Sequence, residues 1–214
     1  MSSPCAEWES SAIKELYPAQ RKTGHMLSYT NIFKDGAIMG ISRNIKSYLY
    51  ALIGFAAAVI VDQASKWLAA THLKDSEPFV IIDGVFQLRY LENRGAAFGM
   101  LQNRQLLFVA GAVIIFLVVS YLYGKLPHEK KYLPLRICAV LVCAGAVGNM
   151  IDRVRLNYVI DFLYFNLIDF PIFNIADCYV VVSCILFIIL IFFYYKDSDL
   201  DKIISGPGRQ DEKK

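Results

Sequence analysis

Uncharged apolar residues cluster into four runs along the chain instead of alternating with polar residues. The second and fourth runs are long enough to cross a bilayer, which takes about 20 mostly apolar residues. The first and third reach that length only if their helices continue into positions 62–66 and 149–153. Because soluble helices rarely stay apolar on every face, the pattern predicts four transmembrane helices. The runs are 48–61, 106–123, 137–151 and 178–195.

Between the first two runs, a short segment has the pattern of a β-hairpin. Phe79–Ile82 and Val85–Leu91 resemble strands, and Asp83-Gly84 between them is a typical hairpin turn. The predicted fold class is an all-α membrane protein, with four transmembrane helices and a small extracytoplasmic β-sheet between helices 1 and 2.

The basic residues predict the orientation in the membrane, because Lys and Arg are enriched in short cytoplasmic loops. The 124–136 connection carries Lys125, Lys130, Lys131 and Arg136. The other two connections have more acidic residues and fewer basic residues per length. We therefore expect this loop and both termini to be cytoplasmic, and the sheet to lie on the outer side.

Composition excludes several classes of protein. Of the 214 residues, 56% are hydrophobic and 19% charged, against about 45–50% and 25% in soluble domains. A net charge of +3 is too small to indicate nucleic-acid binding. Five cysteines are too few, and odd in number, for a disulfide scaffold.

The distribution of polar residues divides the chain into three parts. Residues 1–44 form a polar N-terminal extension to which we assign no role, and the apolar run behind it is expected to be a retained anchor. Residues 45–195 form the membrane domain. The charged segment 196–214 is expected to be a disordered cytoplasmic tail.

The polar side chains of the membrane domain gather at the outer ends of the helices. Such groups are costly in a membrane and usually functional. Asp62 and Lys66 share a face of helix 1, as do Asn149, Asp152 and Arg153 on helix 3. The remaining members of the group are Asp161, Asn174 and Asp177.

Simpler structural roles account for part of this group. Asp62 and Lys66 form a plausible ion pair at a helix end, and Asn174 with Asp177 would cap helix 4. Asp161 is harder to explain this way, because a carboxylate between Ile160 and Phe162 loses hydration unless it has partners.

Metal and thiol chemistry have little support in the sequence. His25, His72 and His128 are widely separated, so no histidine metal site is expected. Four cysteines lie in apolar stretches of helices 3 and 4, where free Cys is usually a small buried hydrophobe. We expect no cofactor. These cysteines are Cys138, Cys143, Cys178 and Cys184.

The remaining candidate chemistry is a pair of carboxylates, Asp161 and Asp177. Two close carboxylates do not both ionise readily, so one keeps a proton while the other acts as a base toward water. This arrangement suits amide hydrolysis without a covalent intermediate. We expect Asp177, at a helix N-terminus, to carry the charge and Asp161 the proton.

At these residues the sequence resembles the lipoprotein signal peptidase family, also called signal peptidase II. Four blocks in the family's order carry the resemblance, across roughly residues 45–195. Two positions depart from its usual pattern: Ala144, where Gly is frequent, and Cys178, where Ser is usual. The blocks are 61–66 (VDQASK), 92–99 (ENRGAAFG), 148–153 (GNMIDR) with 159–162 (VIDF), and 173–177 (FNIAD).

The resemblance implies a four-helix intramembrane aspartyl peptidase with Asp161 and Asp177 as catalytic residues. Asn149, Arg153 and Asn174 would orient these acids and the substrate backbone, and Asp152 is grouped with them. Supporting roles in the pocket and outer sheet would fall to Asp62, Lys66, Asn93 and Gly95.

The implied reaction removes signal peptides from prolipoproteins, just before a Cys that carries diacylglycerol. The implied partners are this substrate and membrane lipid, and we expect a monomer that binds no nucleic acid. The alternatives are an ion- or proton-coupled carrier and a non-enzymatic scaffold. Carriers usually hold their acids near the midplane, often within inverted repeats, whereas these acids lie at one end.

Overall fold

The computed structural model describes residues 22–95 and 104–205, with side chains described for 45–95 and 104–204. The chain divides into two units after Lys46, and the site described below lies within the second, Ser47–Lys214. The predictions for residues 1–21 and 206–214 fall outside the described residues.

Helices make up most of the described chain. The long helices are α1 (Lys22–His72), α2 (Gln105–Lys125), α3 (Leu133–Leu156) and α4 (Ile175–Ile189), and a shorter helix, α5, covers Asp197–Ser205. A 3-10 turn precedes α3 at Lys130–Tyr132, another covers Asn166–Ile168, and a π-helical turn extends α4 over Leu190–Tyr194.

Among the described residues, four helical segments are long and apolar enough to cross a membrane. The helices do continue into the polar positions at 62–66 and 149–153, which confirms the predicted lengths of the first and third. Many of their apolar side chains are exposed, including Ile60, Leu117 and Phe192, as expected for surfaces covered by lipid. The segments are Ile45–His72, Gln105–Lys125, Lys130–Leu156 and Ile175–Tyr194.

A three-stranded antiparallel sheet packs at one end of the helices, which we call the sheet end. Its strands are β1 (Phe79–Ile82), β2 (Phe86–Asn93) and β3 (Val159–Phe165), in the order β1-β2-β3. The first two confirm the predicted hairpin. The third was not predicted as a strand, and it comes from the connection between α3 and α4.

Apolar packing holds the sheet against the helix ends. Ile160 and Phe162 of β3 are buried with Ala69 of α1, and Leu88 of β2 and Ile175 of α4 border this cluster. The ends of α1, α3 and α4 that carry the predicted site residues therefore lie around the sheet.

The chain after α4 differs from the prediction of a disordered tail, because Asp197–Ser205 is helical. Its Asp199 accepts a hydrogen bond from Lys131 at 2.5 Å and another from the backbone N–H of Lys196. Leu200 and Ile203 pack against a buried cluster that includes Tyr132 and Tyr195. These contacts hold the helix in place, although its charged composition did not indicate an ordered segment.

Candidate active site

Two local features bring Asp161 to the sheet end of α3. Asn157 ends α3 in the left-handed conformation, with a φ of 63°, which Asn tolerates better than most residues. The chain then reverses into β3, which pairs with β2 so that Asp161 lies opposite Leu91. The Asp161 side chain is 1% exposed, so its oxygens depend on protein partners.

A second reversal brings Asp177 to the same place. After β3 the chain turns back, and Phe173 pairs with Leu163 through two backbone hydrogen bonds of 2.9 and 3.0 Å. Helix α4 begins directly afterwards with a capping box: the side chain of Asn174 accepts from the backbone N–H of Asp177, and that of Asp177 accepts from the backbone N–H of Asn174. This confirms the predicted cap.

Asn174 contacts both acids. Its Nδ2 donates to Asp161 Oδ1 at 2.6 Å, while its backbone N–H donates to Asp177 Oδ2 at 3.1 Å. The side chain is fully buried. Capping therefore accounts for only part of its contacts, because the amide nitrogen is directed at the other acid.

Two more asparagines donate to the remaining carboxylate oxygens. Asn93, at the end of β2, donates from Nδ2 to Asp161 Oδ2 at 2.8 Å. Asn149 of α3 donates from Nδ2 to Asp177 Oδ1 at 2.8 Å. Each of the four carboxylate oxygens thus accepts one N–H bond from an asparagine, and a fixed geometry for both acids follows.

Burial changes the protonation of Asp161. Loss of hydration, followed by the nearby charge of Asp177, raises the pKa of Asp161 from 3.8 to about 7. The asparagine donors and the more distant Lys66 act in the opposite direction. At neutral pH the site can therefore hold a proton on Asp161.

Arg153 of α3 contacts the segment that follows β2. Its guanidinium donates to the backbone oxygen of Asn149 at 3.3 Å and to that of Gly95 at 3.5 Å. The guanidinium carbon lies 4.6 Å from the centre of the Phe108 ring on α2, a cation–π contact. Arg153 therefore connects three elements beside the carboxylates.

The two acids face a cavity of about 850 Å³ at the sheet end. Asn93, Gly95, Asn149 and Arg153 line its polar side with Asp161 and Asp177. Its apolar side is formed by the 170–173 segment and by the face of α4 that carries Cys178, Val181 and Val182. The cavity therefore has a polar side that carries the two acids and an apolar wall opposite them.

Asp62, Lys66 and Asp152 do not line this cavity. They form a buried cluster behind it, in which Lys66 Nζ lies 3.0 Å from Asp62 Oδ2 and 2.9 Å from Asp152 Oδ2. Asp152 therefore contacts the cluster rather than the cavity, whereas Asn149 contacts both, through Lys66 and Asp177. A side chain three residues along a helix is rotated about 60° from the first, and here that difference turns Asp152 toward α1.

Other hydrogen bonds tie the buried cluster to the surrounding backbone. The other oxygen of Asp62 accepts from the backbone N–H of Ala176 in α4, and Asp152 accepts from that of Ile160 in β3. Breaking a buried ion pair by removing one partner typically costs about 3–5 kcal/mol. The cluster therefore holds α1, α3, α4 and β3 together directly behind the acids.

Sequence analysis missed two contributors to this region. Gln63 donates to Asp62, to Asp152 and to the backbone oxygen of Gly148, all within 3.1 Å. Phe108 lies against Arg153. A glutamine beside Asp62 in an apolar helix was a usable signal for the first, whereas nothing in the sequence distinguished Phe108 from its apolar neighbours.

Comparisons with known proteins show which family the chain resembles. A family model described as signal peptidase (SPase) II matches residues 54–193. A lipoprotein signal peptidase from Caldanaerobacter subterraneus subsp. tengcongensis is 43% identical over 137 residues, 64% of this chain and 91% of the relative. One from Streptococcus pyogenes serotype M6 is 40% identical over 141 residues, 66% of this chain and 90% of the relative.

Solved structures extend the similarity to the fold. One, described as a bacterial membrane enzyme at 2.3 Å resolution, is 33% identical with a TM-score of 0.59, covering 66% of this chain and 87% of the other. A second, at 1.9 Å resolution, is 32% identical with a TM-score of 0.58, and the match covers 68% of this chain and 94% of the other.

Proposed function

Because the chain belongs to the signal peptidase II family and is a peptidase that removes signal peptides from lipoproteins, we propose that it does so by an aspartyl mechanism. The observation that carries the proposal is the arrangement of Asp161 and Asp177. They share Asn174 as a donor, and each oxygen is held by a separate asparagine N–H.

In the proposed reaction, Asp177 is the general base and Asp161 the general acid. Asp177 accepts a proton from a water molecule while the oxygen of that water bonds to the scissile carbonyl carbon. At the same time, Asp161 gives its proton to the carbonyl oxygen. The resulting gem-diol then breaks its C–N bond. The leaving nitrogen gains the proton held by Asp177, and Asp161 recovers one from the diol.

The surrounding residues support this division of roles. The raised pKa of Asp161 favours the protonated form that an acid needs at neutral pH. Arg153 lies beside both carboxylates and holds the end of β2 through Gly95, where an extended substrate backbone would pass. We assign Asn93, Asn149 and Asn174 to positioning the acids.

We further propose that cleavage occurs just before a diacylglyceryl-modified Cys. The support is the apolar wall of the cavity, which continues from the 170–173 segment onto exposed Val181 and Val182 of α4. Acyl chains bound there would add affinity, since each buried CH₂ is worth about 0.8 kcal/mol. The proposed location is a bacterial cytoplasmic membrane, with the site at the outer leaflet.

The test uses the purified full chain and a synthetic precursor with a diacylglyceryl-Cys. We expect mass spectrometry to find one new N-terminus, at the modified Cys. The matched control is the same precursor with an unmodified Cys, which we expect to be cut at least tenfold more slowly. Cleavage elsewhere, or equal cleavage of both precursors, would contradict the proposed specificity.

A further inference from the structure

The three asparagines that donate to the acids differ in what holds their amides. An Asn side chain donates through Nδ2 only if its Oδ1 is directed elsewhere, and the two orientations are nearly identical in shape. Oδ1 of Asn93 accepts a hydrogen bond from the backbone N–H of Gly95 at 3.0 Å. Oδ1 of Asn174 accepts one from the backbone N–H of Asp177, also at 3.0 Å.

Asn149 has no backbone donor of this kind among its described contacts. Its Oδ1 accepts instead from Lys66 Nζ at 2.8 Å and from Asn174 Nδ2 at 3.1 Å. Lys66 is 1% exposed, and an ammonium group only donates. The Lys66 ammonium therefore accepts nothing from Asn149 and requires its oxygen rather than its NH₂.

We propose that Lys66 is a positioning residue that acts through Asn149. Together with the weaker donor Asn174 Nδ2, Lys66 requires Oδ1 on its own side, which turns Nδ2 toward Asp177 and fixes the orientation of the proposed base. This proposal rests on the proposed function. It gives the buried cluster a role in the reaction besides holding four elements together.

The geometry of the cluster explains why Lys66 can perform this task. Asp62 and Asp152 hold its ammonium from two sides, at 3.0 and 2.9 Å. Gln63 bridges the same two carboxylates. The third N–H of the ammonium donates to Asn149 Oδ1. The lysine side chain therefore has little freedom to turn away.

The test is a double-mutant cycle in a background that leaves one buried carboxylate instead of two when Lys66 is removed. In Asp62→Asn, Lys66 keeps Asp152 and Asn149 as partners. Removing Lys66 from this background also removes one positive charge and leaves one carboxylate, which Gln63 and Ile160 still contact. The four proteins are this background alone, with Lys66→Met, with Asn149→Ala, and with both changes.

We expect Lys66→Met and Asn149→Ala each to lower kcat by roughly 10–100-fold, the scale of a misplaced catalytic group, with KM changed less than threefold. The double variant should have a kcat no lower than that of the less active single variant. Thermal unfolding is followed in parallel, because a merely structural lysine would lower Tm without coupling to Asn149 in kcat.

The proposal would be overturned if the kcat losses of the two single variants multiply in the double variant. A folded Lys66→Met protein with normal kcat would also overturn it. If the Met variant does not fold, Lys66→Gln replaces it, since its amide keeps a donor without the charge. We expect the Gln variant to stay at least threefold more active than Asn149→Ala; equal loss would contradict the role of Lys66. Wild-type protein that cuts no precursor would instead contradict the proposed function itself.

Discussion

Asp161 and Asp177 receive the same kind of hydrogen bond but occupy different environments. Asp161 lies in a buried strand and depends on two asparagine side chains. Asp177 lies in the first turn of α4, where a backbone N–H and the helix dipole favour a negative charge. The difference between a strand interior and a helix N-terminus separates the proposed acid from the proposed base.

The raised pKa of Asp161 predicts how activity depends on pH. As pH rises through about 7, Asp161 loses the proton that the reaction requires, so we expect kcat to fall on the alkaline side by about tenfold per pH unit. The measurement is kcat from pH 5 to 9 at saturating precursor. A rate that stays constant to pH 9 would contradict Asp161 as the acid.

The same pKa predicts how stability depends on pH. The folded state binds the Asp161 proton more tightly than the unfolded state, whose carboxyl titrates near 3.8. The resulting stabilisation is complete below about pH 4 and is lost as pH rises to about 7. We expect the Tm of wild type relative to Asp161→Asn to fall across this window and then level off; a constant difference would be inconsistent with the shift.

The cysteines and the question of a metal offer a third prediction at the residue scale. Cys138 and Cys143 are buried, Cys184 is exposed on a spanning helix, and Cys178 borders the cavity. Within the described part of the chain, no group of three or more His, Cys, Asp or Glu could hold a metal ion.

We therefore expect replacement of these four cysteines by Ala or Ser to leave kcat within about threefold, because a free thiol in an apolar helix contributes packing alone. EDTA should have no effect on the rate. Inhibition of the variant lacking these four cysteines by EDTA would indicate a metal, and loss of activity on replacing Cys178 alone would indicate a thiol.

At the scale of elements, close packing of α3 against α4 positions the acids. A Cβ added at Gly145 of α3 would lie 2.5 Å from the backbone oxygen of Ala176 and 2.7 Å from Val180. At Gly148 it would lie 2.5 Å from Asp62 Oδ2. The absence of a side chain at both positions lets the start of α4 approach α3.

We accordingly expect Gly145→Ala to lower the free energy of unfolding by about 1–3 kcal/mol and to reduce kcat by displacing the turn that carries Asp177. Gly111→Ala in α2 is the matched control. Its added Cβ meets nothing within 4 Å, and Ala favours helix over Gly by about 1 kcal/mol. Both variants are compared by thermal unfolding in detergent; equal effects would show that the close approach is unimportant.

Local sequence predicted the elements better than their pairing. Asp83-Gly84 signalled the hairpin and Asn174 with Asp177 signalled the cap, because both depend on neighbouring residues. Strand β3 was missed because its partner, β2, lies far earlier in the chain. The same limit applies to the contact between Lys66 and Asn149, since the sequence showed both as polar residues at helix ends but not which atoms would meet.

On the scale of the whole molecule, the two ends of the spanning helices carry different sets of polar groups. The sheet end holds the acids and the ion cluster. At the other end, the rings of Tyr132 and Tyr195 stack at 5.5 Å. Arg136 there donates to the backbone oxygens of Leu126 and Pro127, which follow α2. This division is consistent with a site that receives substrate from one side of the membrane.

The predicted orientation places both termini and the 124–136 loop in the cytoplasm, following the basic residues of that loop. We expect green fluorescent protein fused after Lys214 to fluoresce and alkaline phosphatase fused there to be inactive. Alkaline phosphatase inserted at the Asp83-Gly84 turn between β1 and β2 should be active. The opposite pattern would place the acids on the cytoplasmic side.

The most direct test of the central claim compares Asp161→Asn and Asp177→Asn with wild type on the diacylglyceryl-modified precursor. Both substitutions keep the shape of the side chain while removing the acid, and loss of a general acid or base costs typically 10²–10⁴-fold. We expect each variant to lose at least 10²-fold in kcat while thermal unfolding still shows a folded protein. Near-normal turnover by either folded variant would contradict the assignment of the two aspartates as the catalytic pair.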